Sequence, residues 1–119
     1  MRYFRYDLKV GFKKHMKLAF ISGPYRGHSE SAVVANIRHA EKYAIKYWRS
    51  GFAVICPHKN TALFGGLAPE QVWLDGDMEI LKRCDLIVMI PGWENSEGAK
   101  AEHRAALHMG MDIIYEKDE

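Results

Sequence analysis

Asp85-Leu86-Ile87-Val88-Met89-Ile90-Pro91-Gly92-Trp93-Glu94-Asn95-Ser96-Glu97-Gly98-Ala99-Lys100-Ala101-Glu102 is the stretch that decides the fold. Its first six residues are apolar after one acid and predict a strand buried on both faces. Residues 91–96 carry Pro, Gly and Asn and predict a turn, and from Glu97 a helix rich in small residues begins. A strand that turns directly into a helix is the unit of a parallel sheet. In such sheets ligands collect in the crevice at the carboxyl ends of the strands. A glutamate in the opening turns of the helix above that crevice is expected to be held ionised by the helix dipole, which suits a nucleophile or a ligand anchor.

The same alternation runs through the rest of the chain. Residues 17–22 predict a first core strand, ending at Gly23-Pro24-Tyr25-Arg26-Gly27. A long helix follows, from about residues 29–31 to Ser50, stopped by Gly51. Its positions Val33, Ile37, Ala40, Ala44, Tyr47 and Trp48 make one buried stripe, with Arg38, Glu41, Lys42 and Arg49 facing water. Residues 52–56 are short and continuously apolar, which predicts a strand inside the sheet. From His58 to Ala68 the expectation is a turn-rich loop containing Gly65-Gly66, long enough for a lid or binding loop. A second helix starts at Pro69-Glu70 and ends near Arg83, a third spans 97–109, and 111–115 form a last strand. The fold class is therefore α/β: a small Rossmann- or flavodoxin-like three-layer domain with a mostly parallel sheet of four to five strands.

A chain of 119 residues with 48% apolar and 27% charged residues builds one domain. No apolar run approaches a membrane span, and the N-terminus lacks a signal-peptide core. Cys56 and Cys84 have no metal-ligand spacing and suggest buried thiols in a reducing cytoplasm. The net charge of +2 hides an asymmetry: residues 1–15 hold five bases against Asp7, +4, so the remaining 104 carry −2. The basic excess belongs to that segment and makes no nucleic-acid-binding face. Phe4, Tyr6, Leu8, Val10 and Phe12 alternate with polar residues there, predicting a strand with one buried face. It divides from the 16–119 domain as an extension that pairs with the domain's own sheet edge, pairs with another subunit, or stays disordered.

Two carboxylates are displaced from the polar faces of their helices. Asp77 has Trp73, Ile80, Leu81 and Cys84 as helical neighbours, an apolar setting in which an acid must be paired or protonated. It is either a structural carboxylate bonded to a nearby backbone or hydroxyl group, or a functional one. Glu102 is ringed by Gly98, Ala99, Ala105, Ala106 and Met109, a small-residue face that admits a ligand but also suits a rim residue. Gly23, Tyr25, Arg26 and Gly27 lie between a strand and a helix, where N–H groups and a guanidinium favour phosphate. The same glycines also serve a plain turn, since the pattern is neither a Walker loop nor a dinucleotide fingerprint. His58, Asn60 and Thr61 follow the second strand as ligand contacts or as ordinary loop residues. No His, Cys or carboxylate spacing points to a metal, and no cofactor is expected. An FMN-binding flavodoxin-like domain is disfavoured by the lack of a Ser/Thr-rich phosphate loop.

The Gly-Pro-Tyr-Arg-Gly turn, the Asp77 helix, the Cys84-Asp85 strand start and Ser96-Glu97-Gly98-Ala99-Lys100-Ala101-Glu102 together resemble the nucleoside 2-deoxyribosyltransferase superfamily. The likeness is to its small phage and bacterial members of unknown function, with the deoxynucleoside 5′-monophosphate N-glycosidases as wider relatives, and covers about residues 16–115. The resemblance implies that Glu102 attacks C1′ of the sugar and that Asp77 assists departure of the base. It implies that Ser96, with Gly98, contacts the sugar or phosphate, and that Gly23, Tyr25, Arg26 and Gly27 meet the sugar-phosphate side. Serine rather than aspartate at 96, near Arg26, tilts the expected substrate toward a nucleotide. The better-known enzymes carry a first-strand tyrosine beside the nucleophile; Ala19 stands there, and Tyr25 is the candidate substitute. They also borrow active-site residues from a neighbouring subunit.

The expected activity is cleavage or transfer of an N-glycosidic bond of a nucleotide or nucleoside through a glycosyl-glutamate intermediate. The expected partners are that small molecule and further copies of the chain, as a homodimer or higher homo-oligomer, with no nucleic acid and no membrane. The alternative is an inactive nucleotide-binding or sensing module of the same fold.

Overall fold

The computed structural model describes residues 6–7, 12–13, 16–62 and 64–118. Tyr6–Asp7 (β1) and Phe12–Lys13 (β2) pair antiparallel as a separate two-stranded sheet, Tyr6 opposite Lys13 and Asp7 opposite Phe12. At the described positions the single strand expected here is two short antiparallel strands. The other residues of 1–15, and with them the buried face and any pairing to another subunit, lie outside the described residues.

The domain follows as β3 (Leu18–Ser22), α1 (Glu30–Arg49), β4 (Ala53–Ile55), α2 (Pro57–Asn60), α3 (Glu70–Leu81), β5 (Leu86–Met89), a 3₁₀ turn (Trp93–Asn95), α4 (Glu97–Met109) and β6 (Asp112–Tyr115). Strands β3 to β6 form one all-parallel sheet in the order β4-β3-β5-β6. It is a three-layer α/β domain of the Rossmann- or flavodoxin-like kind. Ala19, Phe20, Ile21 and Ser22 lie beside Leu86, Ile87, Val88 and Met89.

Alternation along these strands builds two cores. Ala19, Ile21, Leu86, Val88 and Ile90 pack under Ala40, Ala44 and Tyr47 of α1. Phe20, Ile87 and Met89 face the opposite way, onto Leu81, Cys84 and, from α4, Ala99 and Ala106. The split follows from chain direction. The β3-to-β4 crossover runs one way along the sheet and the next two run the other, so a constant hand puts their helices on opposite faces.

Three expectations need correction. The apolar run at 52–56 predicts the sheet interior, yet β4 is an edge strand; Val54 and Ile55 pack into the two cores on its opposite faces, so its composition reads like a central strand's. Trp48 leaves the buried stripe of α1 and is 53% exposed, while Ile37, Ala40, Ala44 and Tyr47 fill the contact. The segment after β4 begins with a single helical turn, α2, started by Pro57 at a position where proline's missing N–H costs nothing. Among the described residues no helix is long and apolar enough to cross a membrane. Cys56 and Cys84 are free thiols, and burial raises the pKa of both, that of Cys84 to about 11.

Asp85 ties β3 to β5 at their starts. Its Oδ2 accepts the Leu18 N–H at 2.7 Å while its own N–H donates to the Leu18 carbonyl at 2.8 Å. Asp85→Ala is expected to lower stability by about 1 kcal/mol, read as a lower urea midpoint with an unchanged slope.

Candidate functional site

Neighbouring strands β3 and β5 feed crossovers in opposite directions, so the sheet's switch point lies between their carboxyl ends. Ser22, the last residue of β3, is 1% exposed there. On α4, Ala99 and Ala106 are fully packed against the sheet, and their small size lets the helix sit close. Glu102 lies between them on that face and is partly buried. The Ser22 hydroxyl donates to Glu102 Oε1 at 2.6 Å, a short bond of the kind a carboxylate draws from an O–H group.

Burial pushes the Glu102 pKa up to about 7; the Ser22 bond works against this, and the nearby Asp77 carboxylate adds to it. The expectation that the helix dipole holds Glu102 ionised is therefore overturned. Glu102 sits in the second turn of α4, where the dipole's influence has faded, and desolvation wins. Asp77, partly buried on α3, is itself raised to about 6 by burial. The Asp77 charge is thus felt at Glu102, whereas the shift of Asp77 comes from burial alone.

The turn after β3 is pinned from behind. The Asn36 amide of α1 donates to the carbonyls of Tyr25 at 2.9 Å and Arg26 at 3.0 Å, and His58 Nε2 bonds the Pro24 carbonyl at 2.8 Å. His58 is 5% exposed, its ring meets Tyr25 edge-on, and desolvation lowers its pKa. It supports the turn from within rather than facing a ligand. A Cβ on Gly23 would come within 2.3 Å of the buried Ile90 side chain, and one on Gly27 within 2.5 Å of Ala32. Both glycines are thus required by close approach. On the other side of the crevice, His39 Nε2 bonds the Pro91 carbonyl at 3.0 Å, fixing the turn after β5.

The remaining candidates divide. Ser96 caps α4, its Oγ accepting the Ala99 N–H at 3.1 Å, which leaves its own O–H free to donate. Gly98 is exposed, with open space where a Cβ would project. Arg26 is exposed and ion-paired with Glu70 at the start of α3. Asn60 lines a groove between α1 and β4 instead of the crevice. Ser22, Asn36 and His39 escape a reading of the sequence, although a serine ending an otherwise apolar strand is a usable signal for the first. So does the aromatic group of Trp93, His103 and Tyr115, in which the Trp93 and His103 rings lie 4.4 Å apart and His103 Nε2 meets the Tyr115 hydroxyl at 2.6 Å. Among the described residues no group of three or more His, Cys, Asp or Glu side chains is arranged to hold a metal ion.

Residues 16–115 match the sequence profile of a family described as a domain of unknown function, DUF4406. The chain belongs to that family. The match runs from just before β3 to the end of β6, so the DUF4406 domain contains the crevice and both acids. A comparison with curated proteins finds no match.

Two outcomes follow from this geometry. A carboxyl whose folded pKa is raised is most favourable when protonated, so its contribution is complete below about pH 4 and lost as pH rises through the folded value. Glu102→Gln, which keeps an acceptor for Ser22, is expected to raise thermal stability at pH 8 but not at pH 4. The gain is about 1–2 kcal/mol, discounted for partial exposure, and differential scanning calorimetry at both pH values checks it. Gly23→Ala is expected to cost about 1–3 kcal/mol by displacing Ile90, measured by chemical denaturation.

Proposed function

We propose that this DUF4406 domain cleaves or transfers the N-glycosidic bond of a nucleotide or nucleoside, with Glu102 as nucleophile and Asp77 as acid. The observation that carries this reading is Glu102, buried at the switch point and held by Ser22, with a second raised carboxyl, Asp77, near enough for its charge to be felt. The resemblance to the nucleoside 2-deoxyribosyltransferase superfamily supports it, and Ser22 takes the steadying position for which that group uses a tyrosine. Ala19 is wholly buried under α1 and has no part in the site.

With one proton on the pair, two arrangements exist, and the reactive one has the charge on Glu102 and the proton on Asp77. The Glu102 carboxylate attacks C1′ as the C1′–N bond breaks, and the base leaves with the bonding electrons and the Asp77 proton. Water or a second base then attacks C1′, releasing Glu102, while Asp77 recovers a proton from the attacking group. The polar end of the substrate lies toward Ser96, Gly98 and the Gly23–Gly27 turn, with Arg26 exchanging Glu70 for phosphate. The site residues need no metal or cofactor for these steps. The active form is a homo-oligomer in a reducing cytoplasm.

Incubation with deoxynucleoside monophosphates, followed by chromatography of free base, tests the proposal. Wild type is expected to release base with a bell-shaped pH profile whose limbs fall near 6 and 7. Glu102→Gln is expected to lose at least about 1,000-fold and Asp77→Asn about 100-fold. Saturable binding with no release by wild type would overturn catalysis and leave the nucleotide-sensing reading.

A further inference from the structure

Helix α1 carries two stripes, and only one is used by the fold. Ile37, Ala40, Ala44 and Tyr47 are buried on the sheet. Displaced by one residue from them, Ser31, Val34, Arg38, Glu41, Ile45 and Trp48 recur at alternating spacings of three and four, the period of a two-helix seam. Val34, Ile45 and Trp48 are 42%, 49% and 53% exposed, although they are large and apolar. Ile45 and Trp48, with Glu41, line an open groove of about 420 Å³ that runs beside Val54 and Ile55 of the edge strand β4.

We propose that this flank of α1 is where two copies of the chain pair, α1 against α1 and antiparallel about a two-fold axis. The occupant is chosen by the order of residues along the seam, which is complementary to its own reverse. Antiparallel alignment centred between residues 39 and 40 sets Val34 against Ile45 of the partner subunit and Arg38 against Glu41 of the partner subunit. The bulky Trp48 then lies over the small Ser31 of the partner subunit. Parallel alignment would instead oppose Arg38 to Arg38 and Glu41 to Glu41, so charge selects the antiparallel form. The two-fold axis makes each contact twice.

Within one chain Arg38 Nη1 lies 3.1 Å from Glu41 Oε1, and Lys59 also bonds Glu41. Both pairs are solvent-exposed and add little to folding, so their charges are available to a second copy. A 20-residue helix is about 30 Å long. One such seam with its adjoining groove is at the small end of specific interfaces, so pairing is concentration-dependent, with a dissociation constant of roughly micromolar order. Because α1 and α4 cover opposite faces of the sheet, the pairing leaves the Ser22–Glu102 contact unchanged and its test needs no activity.

Sedimentation velocity of the full chain from about 1 to 100 µM reads the outcome. Wild type is expected to shift from monomer to dimer. Trp48→Glu or Ile45→Glu should raise the dissociation constant at least about 30-fold, and Arg38→Glu or Glu41→Arg alone at least about 10-fold. The double variant R38E/E41R should return to within about 3-fold of wild type, and mixing the two single charge variants should restore a dimer. Arg38, Ile45 and Trp48 are exposed, and half-buried Glu41 makes only exposed ion pairs, so circular dichroism at low concentration should show unaltered folding. A wild type that stays monomeric throughout would overturn the proposal. So would a dimer indifferent to these variants, or charge reversals that the double variant fails to rescue.

Discussion

The parallel pairing of Ala19–Ser22 with Leu86–Met89 is the constraint on which the rest of the structure depends. It places the first and third strands of the domain side by side, although more than sixty residues separate them. It also forces their crossovers to opposite faces. From that one adjacency come the two cores, the crevice at the carboxyl ends, and the position of Ser22 at its floor. Asp85 secures the pairing at its start through the exchange of bonds with Leu18. His39 and His58 secure it beyond its end by holding the carbonyls of Pro91 and Pro24. Both turns that flank the crevice are therefore held by side chains from neighbouring helices.

Placing two carboxyls in that crevice works against folding. Each loses hydration, and the Asp77 charge makes ionisation of Glu102 harder still, so both hold protons at pH values where free acids have lost them. The Ser22 hydroxyl offsets part of this cost for Glu102 alone. Two acids of one chemical type thereby acquire unlike surroundings, which is the physical basis for giving them unlike roles. The surrounding glycines serve a different end: Gly23 and Gly27 let the turn approach Ile90 and Ala32, and the turn's carbonyls are held by Asn36 and His58.

Much of the layering was legible because apolar spacing reports directly on which side of an element is covered. Residues 17–22 and 85–90 read as strands with both faces buried, and α4 at Glu97–Met109 agrees with its predicted bounds. Asp77 and Glu102 stood out because helical spacing put acids among apolar or small neighbours, and both are partly buried. The same logic misplaced Trp48, since a helix of twenty residues carries a stripe wider than the sheet can cover. It also misplaced β4, because an edge strand with covered faces has the same composition as a central one. Ser22, Asn36 and His39 act through partners distant in sequence, and no local pattern records such pairs.

By itself, the sequence determined the alternation of strands and helices, the parallel sheet, and which acids leave the polar faces of their helices. These follow from periodicity and short-range sterics, which act within a few residues. Only the tertiary structure decided the strand order, the bond from Ser22 to Glu102, and the upward shift of both carboxyl pKa values. Those depend on which surfaces meet and how much water they exclude, and both are set by contacts between residues far apart along the chain.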